Sequence, residues 1–75
     1  MTTPDQLRAA RALRGLSQDD LAKMINTSAK TIRRAETGVD TVSSATVAAI
    51  RAALEVEGVE FIDENGGGAG VRLKK

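Results

Sequence analysis

The stretch Leu16 to Gly38, LSQDDLAKMINTSAKTIRRAETG, decides the fold of this chain. It contains two helix starts of the same kind. Ser17 opens the first, with Asp20 three residues on in an approximate capping-box arrangement. Ser28 opens the second, where its hydroxyl can cap the free N–H groups of Lys30 and Thr31. The first helix carries Leu21, Ala22 and Met24 or Ile25 inward and ends near Asn26. The second closes at Gly38, a residue suited to the left-handed position after a helix. Only Asn26 and Thr27 lie between them, so the chain must turn sharply, as in a helix-turn-helix. Ala22 sits where the two helices press together, and only a small side chain lets the backbones approach there.

The helix from Ser28 has two distinct faces. With Ile32 pointing inward, Glu36 lies about 40° away and Ala35 about 60° the other way, on the buried side. Lys30, Arg34 and Thr37 fall about 140–160° away, in one row on the opposite face. Arg33 and Thr31 flank that row, which holds two cations, a hydroxyl and no acid. Such a face suits a helix lying in the major groove. Its N-terminal turn, with free N–H groups and a positive dipole end, approaches phosphates, and Ser28 and Thr31 there are candidate phosphate contacts. Arg34 has the fork to bond a guanine through O6 and N7, Lys30 does so less rigidly, and Arg33 is a further base-reading candidate.

Glu36 is on the inward face, where a carboxylate is costly unless paired. Leu7, Ala10 and Arg11 share one stripe of the preceding helix, so Arg11 can reach across to it. An active-site pair would need a His, a Cys or a second converging acid. A structural ion pair behind the exposed row is therefore the expectation.

Two further helices flank this core. Thr3 caps a helix with Pro4 at its first position, running to about Arg14 before Gly15. Another begins near Ser43 or Ser44 and runs to about Glu57, with Val47, Ile50 and Leu54 spaced as one buried stripe. Beyond Gly58 the period changes to partial alternation in Val59–Asp63 and Val71–Lys74, separated by Asn65-Gly66 and further glycines. A short β-hairpin with a glycine-rich loop is predicted. A two-stranded hairpin is marginal alone, so it must pack on the helices or pair with a second chain. The loop lacks the Lys-Ser/Thr of a phosphate-binding P-loop.

Composition narrows the function classes. The chain has 75 residues, room for one core, with no Cys and no His, which removes disulfides and the usual zinc sites. No cofactor, no metal ligand set and no nucleophile–base pair can be assembled, so an enzyme is not expected. Phe61 is the sole aromatic and lies outside the basic half, which leaves no stacking platform for single strands. No apolar run approaches the ~20 residues of a membrane span, and a soluble, cytoplasmic protein is expected. The formal net charge of +1 is unevenly spread. Met1 to Gly38 carries +3, Val39 to Gly70 carries −5, and the last five residues return +3 through Arg72, Lys74 and Lys75. One half thus suits a polyanion and the other does not. A solvated basic terminus is the reading for the last three cations.

Leu7…Arg11…Gly15-Leu16-Ser17-Gln18-Asp19-Asp20-Leu21-Ala22…Ser28…Ile32…Glu36-Thr37-Gly38 resembles the Cro-type phage-repressor helix-turn-helix family. The resemblance covers roughly the first 57 residues. It implies a mostly α fold, a compact four-helix lambda-repressor-like domain over residues 1–57; the hairpin extension of residues 58–75 lies outside the resemblance, and that hairpin and the fourth helix are the candidate dimerisation elements. It implies a transcriptional regulator, most simply a repressor, binding double-stranded DNA at two-fold symmetric operators as a homodimer. By the same resemblance Gln18 contacts phosphate, Ala29, Lys30 and Arg34 face bases, Thr37 lies near phosphate, and Arg11–Glu36 has its counterpart. Thr27 stands where the family more often has Val, Ala35 replaces a frequent larger side chain, and the tail is not the usual fifth helix. The alternative is an antitoxin-like or adaptor module whose acidic second half engages a protein partner.

Overall fold

The computed structural model describes residues 2–38 and 42–74, so Lys75 of the basic ending lies outside the described residues. Four helices precede an antiparallel hairpin: α1 (Pro4–Leu13), α2 (Gln18–Met24), α3 (Ala29–Thr37), α4 (Ser44–Val56), β1 (Val59–Ile62) and β2 (Gly70–Leu73). Every helix is opened by a hydroxyl. Thr3, Ser17, Ser28 and Ser43 each accept the backbone N–H three residues on, satisfying one of the donors a helix leaves unpaired at its start. At α1 and α2 the box is reciprocal: Gln6 Oε1 accepts the Thr3 N–H and Asp20 Oδ2 the Ser17 N–H, each at 2.9 Å.

The exits explain the sharp turns. Gly15 is left-handed (φ 64°), the Leu16 N–H donates to Arg11 O at 3.1 Å, and the Gly15 N–H donates to Ala12 O at 3.0 Å. That is a Schellman motif. The same pair of bonds closes α2, from Thr27 N–H to Ala22 O at 2.9 Å and from Asn26 N–H to Lys23 O at 3.3 Å. Here a non-glycine, Asn26 (φ 56°), takes the left-handed position. Helix α2 therefore stops at Met24, two residues short of the expected end, and the turn itself consumes Ile25 to Thr27.

One core gathers all six elements. Leu7, Leu21, Ile32, Ile50, Leu54 and Val59 are fully buried, with Ala10, Ala22, Ala35 and Phe61 between them. Each buried Leu or Ile contributes about 1.5–3 kcal/mol by leaving water. Ile25, not Met24, is the residue packed on this core; Met24 is 41% exposed. The hairpin packs on the helices rather than standing free, with Val59 and Phe61 facing inward and Val59 paired opposite Leu73. Gln6, only 3% exposed, donates from Nε2 to Ile62 O and Gly70 O, both at 3.0 Å, and so ties α1 to the last pair of the ladder. On the other side Arg51 stacks over the Phe61 ring at 4.8 Å and donates to Thr2 Oγ1 at 2.9 Å.

Candidate nucleic-acid interface

Helix α3 sets the site. Its inward stripe, Ile32, Ala35 and Glu36, is buried at 0%, 5% and 2% exposure. That burial fixes the helix's rotation and leaves Lys30, Arg33, Arg34 and Thr37 exposed. Ala29 and Thr31 are half-buried. Thr37 Oγ1 donates back to Arg34 O at 3.4 Å, which holds the last turn together before Gly38 ends the helix (φ 69°). A Cβ at Gly38 would meet Pro4 Cγ at 3.2 Å, so the left-handed backbone and the close approach to α1 both favour glycine there.

At the start of α3, Ser28 Oγ accepts the Thr31 N–H at 3.3 Å, and the two hydroxyls lie 3.1 Å apart within hydrogen-bond reach. The N–H groups of the first turn point out of the helix end beside the exposed Lys30, a local field that favours anions.

Behind this face lies a polar network. Arg11 Nε donates to Glu36 Oε2 at 2.6 Å and Nη2 donates to Glu36 Oε1 at 3.0 Å, a two-pronged pair between α1 and α3. Arg11 Nη1 also donates to Leu16 O at 2.9 Å, anchoring the turn into α2. The bond to Glu36, helped by the opposite charge and outweighing the cost of burial, raises the Arg11 pKa. Gln18, first residue of α2, donates from Nε2 to Glu36 Oε1 at 3.3 Å. Its Nε2 carries two hydrogens, so this bond leaves one for a group outside the protein. Among the described residues, no buried side-chain polar atom lacks a partner.

The structure thus places Lys30, Arg33, Arg34 and Thr37 on one exposed face, Ser28 and Thr31 at its head, Gln18 beside it, and Arg11 with Glu36 beneath it. Two residues that sequence reasoning passed over hold the scaffold: Gln6 and Arg51. Thr3-x-x-Gln6 is itself a capping-box signature, a signal for Gln6 that the sequence does carry. Arg51 gave none beyond its charge. No helix of the described residues is long and apolar enough to cross a membrane, and none of their acids cluster as a metal site.

A family model described as helix-turn-helix matches residues 7–61. No curated protein matches the chain.

Proposed function

This chain belongs to the helix-turn-helix family, of the Cro/C1 and lambda-repressor-like type, and from that membership we propose that it is a transcriptional repressor reading a two-fold symmetric operator. DNA binding is what the family does, and its members are typically non-enzymatic. The observation that carries the finer reading is the exposed row Lys30, Arg34 and Thr37 on a helix whose rotation is fixed by buried Ile32 and Glu36. With α3 in the major groove, Arg34 takes a guanine through its two-pronged fork, while Ala29, Lys30 and Arg33 border neighbouring bases. The outer N–H of Gln18, whichever hydroxyl of the Ser28–Thr31 pair keeps its proton, and the Thr37 hydroxyl once it swings off Arg34 O take phosphates, fixing register without reading sequence.

A single module of this kind buries roughly 600–1,000 Å² on DNA, too little for high specificity, which favours a homodimer. Val56, 84% exposed at the end of α4, and Leu73, 45% exposed on β2, make those elements the candidate interface. Half-sites then lie about 10 base pairs, or a multiple, apart. Selection of bound sites from random double-stranded DNA tests the reading. A palindromic consensus supports a dimeric reader; enrichment without sequence preference rejects it.

A further inference from the structure

We propose that Asn65 is a site of spontaneous self-modification: its side chain cyclises onto the Gly66 backbone nitrogen and hydrolyses to aspartate and isoaspartate in the folded protein. The chain has two asparagines, Asn26 and Asn65, and the fold treats them oppositely. In the reaction the Gly66 nitrogen attacks the Asn65 carboxamide carbon, that C–N bond forms, and the bond to the amide nitrogen breaks. Ammonia leaves, carrying the proton lost by the attacking nitrogen. Water then opens the five-membered imide at either carbonyl, giving a normal aspartyl or a β-linked isoaspartyl residue.

Three features must coincide, and at Asn65 they do. The residue after it has no side chain to block ring closure, and its backbone is already outside the ordinary regions (φ 100°), with open space where a Cβ would stand. Both residues are exposed, in the bend between β1 and β2. Among the described residues, no hydrogen bond holds the Asn65 carboxamide or the Gly66 nitrogen. Asn26 is exposed as well, but there the other two conditions fail. Its neighbour is the β-branched Thr27, whose nitrogen is already committed to Ala22 O at 2.9 Å, and the Schellman turn fixes the backbone around it.

The fold also contains the damage. The ladder ends at Ile62 and Gly70, and Gln6 Nε2 is bonded to both carbonyls. A loop of residues 63–69, four of them glycine or alanine between that neck, absorbs one added backbone methylene without disturbing Val59 or Phe61. The new carboxylate joins Asp63 and Glu64 and lowers the formal net charge of +1 to zero, a charge at which proteins associate more readily.

The full chain is incubated at mildly alkaline pH, folded and in urea, and conversion at each asparagine is followed by peptide mass spectrometry and isoelectric focusing. Asn65 is expected to convert in the folded chain nearly as fast as in urea, with the more acidic form keeping the starting melting temperature. Asn26 is expected to convert at least about tenfold slower folded than unfolded, because its turn must open first. Gly66→Ala should slow the Asn65 reaction and Asn65→Gln abolish the acidic form. Folded Asn65 slowed as strongly as Asn26, or an acidic form that persists in Asn65→Gln, would overturn the proposal.

Discussion

Arg11 on α1 holds Glu36 on α3 in a two-pronged pair of 2.6 and 3.0 Å, and the two partners are unequally sheltered: the Glu36 side chain is 2% exposed and the Arg11 side chain 20%. A carboxylate that deep has no route to water if its partner leaves. Arg11, with a path to solvent and a second bond to Leu16 O, does. The pair therefore acts as the strut behind α3, and removing its two halves has different consequences.

Arg11→Ala should cost about 3–5 kcal/mol, the penalty of stranding a buried charge with Gln18 as its main remaining donor. Glu36→Ala should cost less, roughly 1–3 kcal/mol, since Arg11 can rehydrate. Urea unfolding of both variants checks the order, and an equal or reversed ranking would show that Glu36 is better served than its burial suggests.

The turn between α2 and α3 rests on Asn26 in the left-handed region (φ 56°). Asn26→Gly keeps that backbone at no steric cost and should leave the melting temperature level or raise it. Asn26→Ala should lose about 1–2 kcal/mol, several degrees in a domain of this size. A tolerated alanine would mean that the Schellman bonds do not define the turn in solution.

Gln6 serves three groups at once, the Thr3 N–H and the carbonyls of Ile62 and Gly70. Gln6→Ala should destabilise by about 1–3 kcal/mol through unsatisfied carbonyls. Hydrogen exchange should show the hairpin amides losing protection before those of α3. Uniform loss across the chain would contradict the assignment of Gln6 to the hairpin neck.

Acid sensitivity follows from two carboxylates. The Ser17 N–H, then the Ser17 side chain, holds the Asp20 pKa below its ordinary 3.8, and the bond to Arg72, then its charge, holds Glu60 below 4.5. Folded values below unfolded ones mean that this stability is present above the ordinary carboxylate range and lost as pH falls through the depressed values. Asp20→Asn and Glu60→Gln should each start less stable at neutral pH and fall less steeply in acid. The curves should converge with that of the unsubstituted chain in strong acid; parallel curves would refute the linkage.

Much of this architecture was legible in the residues because helix boundaries are written locally. Thr3, Ser17 and Ser28 marked their starts, Gly15 and Gly38 their ends, and the period around Ile32 fixed which side of α3 faces the core. The choice between Met24 and Ile25 was not legible, because it depends on where the α2 axis lies after the turn, and only packing decides that. That the hairpin needs a support was legible, but the place where it docks was hidden. It depends on Gln6 and Arg51 meeting residues more than ten positions away, and no local pattern encodes such partners.

Base reading by Arg34 from the outward row of α3 is the proposal on which the function rests, and a single substitution tests it. Operator affinity and base preference are measured for the unsubstituted chain and for Arg34→Ala, with melting curves to show that both are folded. Binding should weaken by about 1–3 kcal/mol with relaxed preference at one base position, while Arg34→Ala stays folded at the temperature of the binding measurement. An Arg34→Ala protein that keeps both its affinity and its base preference would contradict the proposal.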